Sequence, residues 1–370
     1  DMQRILWRST PSERLASYRL LTVTYGTTPA SFIATQCLTV LADENKTKFP
    51  DASKAIKNDF YMDDLMTGCE SEEECLQLQQ QISFITNSAG LPLRKWCSNS
   101  SAIRARLSEF SEDPLFALEI QKEDAVKSLG LHWKPAEDEF RFYGVMKVNT
   151  SKTTKRVILS DLNKVFDPLG FLVPVLIKGK IFIQQIWQLK VDWDSTLPED
   201  IQRRWDTFYT ELEDLRLVKV PRCTSVTARS QIEIHGFCDA SQEAYGACVY
   251  VRSKDQSHKW HSRLLCARSR VASLKGESIP RLELSGALTL VHLISKLASA
   301  WEVNCRECYL WTDSTIVLGW LNAQAVRLKV YVANRVAQIL ELTDPKQWRY
   351  ISTEENPADM ISRGISARLL

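Results

Sequence analysis

The chain has 370 residues, 44% of them apolar and 25% charged, and carries a formal net charge of +2. That length suits two or three domains with cores of their own, and the composition excludes a disordered chain. The near-neutral balance excludes a strongly basic nucleic-acid binder, but not a polymerase or nuclease, whose metal-binding carboxylates offset a basic groove. The charge is uneven: residues 1–150 carry 17 Lys and Arg against 21 Asp and Glu, 151–230 carry 13 against 10, and 231–370 carry 17 against 14. Ten cysteines without a framework of short spacings argue against a secreted disulfide scaffold. Cys305 and Cys308 have CxxC spacing but no second pair to complete a zinc site, so buried, reduced thiols are expected. No signal peptide opens the chain, and its longest apolar run, PLGFLVPVLI, is too short for a bilayer. These features predict a cytoplasmic protein with no membrane partner. The first residue is Asp1 rather than Met, as expected of a piece of a longer product.

In chain order, NDFYMDDLMTG (58–68) sets Asp63 beside Asp64 within an otherwise apolar strand. Successive strand side chains point to opposite faces, so two adjacent carboxylates converge only where the backbone turns. A polar hairpin tip and a metal site built on a hairpin are the two accounts. SEEECLQLQQQISFITNSAG follows as a helix, with Ser71 and Glu74 forming a capping box and Gly90 the stop. Cys75, Leu78, Ile82, Ile85 and Ala89 share its buried face. LPLRKWCSN (91–99) is expected as a strand, and KSLGLHWKPAEDEFRFYGV as a strand pair, the order of an α+β sheet with helices on one face. From 151 the pattern is helical: Val175, Gly179, Phe182, Ile186 and Leu189 form one apolar stripe, and Ile201, Trp205, Phe208, Leu212 and Leu215 another. The polar stretch VPRCTSVTARSQ marks a boundary. The expected division is 1–150, 151–230 and 231–370.

The last 140 residues read β-β-β-α-β-α, then a strand and a helix. They place four acids at element ends. Asp239 lies on the first strand, Glu283 in the first turn of the helix opened by Pro280, and Asp313 at a strand end ahead of Ser314, a plausible N-cap. Asp359 falls in the first turn of the last helix, with Asn356 expected as N-cap and Pro357 as its first residue. In open sheets, chemistry gathers at one edge of strand ends and helix starts. Carboxylates there are the donor set of hard divalent cations, which act in pairs in nucleases. Singly, each acid is also compatible with a solvated surface position.

GFCDASQEAYGA, IPRLELSGAL, LWTDSTIVLGWL and NPADMISRG resemble the four catalytic blocks of the RNase H domain in Bel/Pao-type retrotransposon polyproteins. The resemblance implies an RNase H-like fold with a mixed five-stranded sheet, and Asp239, Glu283, Asp313 and Asp359 as metal-binding catalytic residues. YRLLTVTYGTTPASFIATQCL, FYMDDLMTG and LPLRKWCSN resemble the same polyprotein's reverse transcriptase, which implies a partial palm and thumb for 1–150 and a helical thumb or connection for 151–230. Asp63 and Asp64 are then the polymerase's metal-binding pair. Two Mg²⁺ ions per site are implied, with Mn²⁺ as an alternative. The family's third polymerase acid lies upstream of DMQRILWR, so this chain alone is expected not to polymerise. Many relatives carry a histidine shortly before the last acid; Tyr350 stands where one would be sought.

The implied partners are RNA/DNA hybrid and primer–template, with dNTP only in a full-length parent and an oligomeric state left open. A virus-like particle or the nucleus is compatible with such a role. KWHSRLLCARSRVASLKGESIPR supplies Lys259, Arg263, Arg268 and Arg270 for phosphates, and Lys95 stands near the double-aspartate hairpin. A solvated charged strand is the other reading of these cations. The alternative for the whole chain is a remnant that binds nucleic acid without catalysis.

Overall fold

The computed structural model describes residues 3–24, 26–109, 126–128, 130–143, 153–224, 232–254, 257–301 and 307–370. The chain divides into two compact units, Asp1–Leu129 and Gly130–Leu370.

In the first unit a hairpin of β1 (Arg4–Trp7) and β2 (Ala16–Arg19) precedes helices α1 (Ala30–Asn45) and α2 (Pro50–Asn58). A second hairpin, β3 (Phe60–Tyr61) and β4 (Asp64–Leu65), leads to α3 (Glu72–Ser88) and α4 (Ser101–Glu109). The Ser71–Glu74 capping box starts α3, and Gly90, at φ +70°, follows its end. Leu78, Ile82 and Ile85 of α3 are buried against Ala52, Ala55 and Ile56 of α2, while Ala89 is exposed. Residues 91–98 form no strand, contrary to the sequence expectation. Lys95 turns into the left-handed region at φ +60°, and Leu93 and Trp96 both drop into the α2–α3 core. Three-residue spacing onto one side is incompatible with a strand's alternation. Among the described residues β3 and β4 form a sheet of their own, so the larger helix-backed sheet expected here is not seen. The short β5 (Val126–Ser128) closes this half.

The second unit begins with β6 (Leu131–Lys134) and β7 (Glu139–Arg141), followed by α5 (Lys155–Lys164), α6 (Val173–Gln188) and α7 (Glu199–Glu213). β8 (Lys219–Pro221) then returns to pair antiparallel with β7. Phe182 stacks on Trp205 with ring centroids 5.9 Å apart, and Ile158, Ile186, Leu212 and Leu215 complete this core. Leu189 departs from the predicted stripe: it is the residue after α6 and is 44% exposed.

Next come β9 (Ile232–Ala240), β10 (Ala244–Lys254), β11 (Trp260–Val271), α8 (Ile279–Trp301), β12 (Tyr309–Thr312), α9 (Thr315–Leu321), α10 (Val330–Leu342), β13 (Trp348–Tyr350) and α11 (Asp359–Arg363). The sheet order is β11-β10-β9-β12-β13, with β12 parallel to both β9 and β13 and the other pairs antiparallel. α8 packs on one face, where Leu284, Leu290 and Ile294 meet Val249, Val251 and Leu310. On the other face Val173, Ala358 and Ile361 cover Cys248 and Ala267. This is the mixed five-stranded sheet with helices that the four blocks imply. Cys238, Cys248, Cys266 and Cys308 are buried, whereas Cys305 lies outside the described residues. No described helix is long and apolar enough to cross a membrane.

The DPLG turn joins the helices to this sheet. Asp167 accepts from the Phe171 and Leu172 N–H groups at 2.9 and 2.8 Å, and Leu169 O accepts from Ala267 N–H of β11 at 2.8 Å. Gly170 adopts φ +81°, and a Cβ there would stand 1.9 Å from Ala267 O. Only glycine meets both conditions without displacing the strand.

Candidate active site

The polymerase-like hairpin has a simple local logic. Phe60 and Leu65 form one cross-strand pair and turn into the α2–α3 core, so the other pair, Tyr61 and Asp64, points outward. Met62 and Asp63 make the turn, Met62 at φ +55°. Asp63 and Asp64 are both exposed. Among the described residues no third acid joins them in a close metal-binding group. Lys95 is exposed, and Trp96 is part of the core.

The second constellation is different. Asp239 is the penultimate residue of β9, β12 is followed by Asp313, and the parallel β9–β12 pairing brings those two ends to one sheet edge. α8 carries Glu283 as its fifth residue, one turn in from Ile279, rather than in the first turn that the sequence suggests. Gly286, three residues on, lets the helix approach β9: a Cβ there would be 3.0 Å from Asp239 O. The carboxylates of Asp239, Glu283 and Asp313 offer oxygens that all lie within 4.8 Å of one another. Asp239 and Glu283 are 2% and 7% exposed.

Burial dominates their ionisation. It raises Asp239 to about 6, with the charges of Asp313 and Asp359 adding to the effect and the Ser362 hydroxyl opposing it. Burial also raises Glu283 to about 9, reinforced by Asp239 and Asp313 and opposed by the Ala240 N–H and Arg363. Three crowded carboxylates cannot all ionise cheaply without a counter-charge. Glu283 Oε2 and Asp313 Oδ1 are buried with no hydrogen-bond partner among the described residues. Two orphaned oxygens in an all-carboxylate group are the donor set that a hard divalent cation takes. The residues present therefore fit Mg²⁺ or Mn²⁺.

Asp359 does not belong to this trio. It sits in the first turn of α11 and is paired with Arg363 Nε at 2.6 Å. The helix begins there, with Ala358 as N-cap, rather than at Pro357 behind Asn356 as the sequence suggests. Asn356 is otherwise engaged: its Nδ2 donates to Cys238 O at 3.0 Å and its Oδ1 accepts from Ala358 N–H at 3.1 Å. The turn is thereby tied to β9 before the helix starts.

Two supporting residues were not singled out by the sequence. Ser362 Oγ donates to Asp239 Oδ2, and Thr353 Oγ1 donates to Asp313 Oδ2 at 2.7 Å. Ser362 lies three positions after Asp359 in NPADMISRG, which offers a weak signal; Thr353 offers none. Tyr350 ends β13 opposite Thr312 and is 56% exposed, so Thr353, not Tyr350, reaches the acids from this loop.

Of the predicted phosphate contacts, Arg263, Arg268 and Arg270 lie on one side of β11. They pair with Val251, Ala247 and Tyr245, and the irregularity between Val249 and Tyr250 preserves that side across the break in register. Arg268 and Arg270 are exposed, Arg263 is half-buried, and Lys259 is exposed ahead of the strand. Arg281 lies 4.9 Å and Arg335 3.5 Å from the Tyr331 ring, two further cations on the helices that carry or flank Glu283.

Among solved structures, the chain is similar to the N-terminal RNase H domain of a Mycobacterium tuberculosis protein, at 12% identity and TM-score 0.25, over 35% of this chain and 89% of that one. RNase H1 of the archaeon Halobacterium salinarum matches at 10% identity and TM-score 0.24, over 35% and 93%. A foamy viral protease–reverse transcriptase, solved with dsDNA, matches at 12% identity and TM-score 0.21, over 90% of this chain and 61% of that one. No curated protein matches the sequence. Residues 154–314 match the family described as the Pao retrotransposon-like RNaseH-like domain, a stretch that takes in Asp239, Glu283 and Asp313. That match over the second unit, together with the four sequence blocks, supports the resemblance to a Pao-type retroelement Pol fragment.

Proposed function

We propose that the RNase H-like part of this chain cuts the RNA strand of RNA/DNA hybrids, using divalent cations held by Asp239, Glu283 and Asp313. The observation that carries this reading is the buried carboxylate trio with its two orphaned oxygens. Bound there, a pair of Mg²⁺ ions would supply the activation of water and the stabilisation of the leaving oxygen. The chain's own residues prepare the place. Ser362 and Thr353 each fix one oxygen of Asp239 and Asp313 by donating to it, which leaves the other oxygen of each carboxylate for a cation. Glu283, raised to about 9 by burial, would hold a cation as the deprotonated carboxylate. Asp359 completes the quartet once Arg363 releases it.

Lys259, Arg263, Arg268 and Arg270 hold the phosphates of the hybrid, a contact that fixes register rather than sequence. Asp63 and Asp64 belong to a polymerase site that takes primer–template and dNTP. Lys95 contacts the primer backbone there. The division at about 150 and 230 into palm and thumb start, helical connection and RNase H domain, and a cytoplasmic or particle-associated setting, belong to the same proposal.

The test is incubation of the purified chain with a hybrid labelled on its RNA strand. RNA cutting in Mg²⁺, with the same RNA left intact when single-stranded and no cutting by Asp313→Asn, supports the reading. A folded chain that binds the hybrid and leaves it whole in Mg²⁺ and Mn²⁺ overturns it, in favour of a non-catalytic binder.

A further inference from the structure

Helices cover the two faces of the five-stranded sheet unequally. α8, α9 and α10 bury one face from β11 to β13, whereas on the other the cover of α6 and α11 reaches Cys248, Ala267 and Phe237. Strand register sets Tyr250, His235 and Tyr309 in one row of that second face, Phe237 and Trp311 in the next, and Arg252 beside Glu233 in the row beyond. Arg349 pairs with Trp311 and extends its row onto β13. None of the described core clusters includes His235, Tyr309 or Trp311. Alternation ordinarily makes a bare sheet face polar. This one is aromatic: His235, Tyr309 and Trp311 are half-buried against one another with no helix over them among the described residues, and a partly accessible aromatic patch of this kind marks an interaction site.

The rings are ordered. His235 stacks on Tyr309 with centroids 4.9 Å apart and planes 21° apart, and Trp311 lies within 13° of His235 and 12° of Phe237. Trp311 Nε1 donates to His235 Nδ1 at 3.2 Å, which locks the row. Cations lie on the rings: Arg349 is 4.7 Å from the Tyr309 centroid, and Arg252 and Lys254 are 4.2 and 5.5 Å from that of Trp260. Arg349 and Lys254 make no ion pair with described residues. Glu233 is taken by Arg252 and His235, and Glu307 is exposed just ahead of β12. A guanidinium laid on a ring keeps its N–H edge for a phosphate, and the rings beside it suit bases.

We infer that this open face is a second nucleic-acid contact, taking a single strand of RNA or DNA apart from the carboxylate site. His235 lies four residues before Asp239 on β9, about 13 Å at the rise of an extended strand. A single-stranded tail leaving the catalytic edge reaches it within a few nucleotides. Binding is sequence-tolerant and falls steeply with salt.

The experiment measures anisotropy of a labelled single-stranded oligonucleotide in EDTA, on the Asp313→Asn chain, so that neither cutting nor metal binding enters. It therefore stands or falls separately from the nuclease reading. The double variant Arg349→Glu/Lys254→Glu on that background is expected to weaken oligonucleotide binding about tenfold or more, flatten its salt dependence and leave binding of a blunt hybrid unchanged. The neutral pair Arg349→Gln/Lys254→Gln is expected to lose less, and serves alone if the charge reversal does not fold. Unchanged oligonucleotide affinity in the folded variant overturns the inference. So does displacement by polyglutamate as effective as by unlabelled oligonucleotide, which identifies an acidic protein partner instead.

Discussion

The hydroxyl of Ser362, on the last helix, donates to Oδ2 of Asp239, on the first strand of the five-stranded sheet. Ser362 is fully buried, so its loss cannot be made good by water. Ser362→Ala is expected to destabilise the second unit by about 1–3 kcal/mol and to weaken Mg²⁺ binding about tenfold. Thr353→Val removes the matching bond to Asp313 at an exposed position and is expected to weaken Mg²⁺ with little change in stability. Calorimetric Mg²⁺ titration and denaturant melts of both variants separate the two effects.

The pH dependence of stability follows from Glu283 and Asp239. Both acids are raised in the folded chain, so the folded state binds more protons than the unfolded state, and stability falls as pH rises. For Glu283 the window runs from the ordinary 4.5 to about 9, and for Asp239 from 3.8 to about 6. In EDTA, the melting temperature is expected to fall across that range, and Mg²⁺ to raise it most at the alkaline end. Glu283→Gln is expected to flatten the profile. A metal-free melting temperature that climbs with pH through the window, and does so equally in Glu283→Gln, contradicts this.

Gly170 tests the attachment of the helices to the sheet. Gly170→Ala puts a Cβ against Ala267 O and an alanine at φ +81°. The expected cost is about 2–4 kcal/mol, read from urea denaturation of the whole chain. Gly319→Ala, where a Cβ meets nothing within 4 Å, is the control and should cost nothing measurable.

Met62 holds a left-handed conformation at the tip of the double-aspartate hairpin. Met62→Gly relieves that cost and is expected to stabilise the first unit by about 0.5–1 kcal/mol. Hydrogen exchange at the hairpin amides measures it; faster exchange in the variant would show that the tip is not strained.

The candidate acids were legible because each lies near the end of an element: Asp239 and Asp313 at strand ends, Asp359 at a helix start and Glu283 one turn into a helix. Parallel pairing of β9 with β12 then does what sequence order cannot state, bringing residues 239 and 313 to one edge. Ser362 and Thr353 were illegible because their roles are contacts across 123 and 40 positions. The 91–99 strand failed because Leu93 and Trp96 are apolar for the sake of a helical core, not an alternating face. The start of α11 was misplaced because Asn356 makes a long-range bond to Cys238 as well as a local one.

The central claim is that Asp239, Glu283 and Asp313 are built for divalent cations. It is tested most directly by calorimetric titration of Mg²⁺ into the EDTA-stripped chain, repeated in two buffers of different ionisation enthalpy. The account predicts saturable binding whose heat depends on the buffer, because Glu283 releases its proton, and loss of that binding in Asp313→Asn. No binding by the folded wild-type chain, or equal binding by Asp313→Asn, would contradict it.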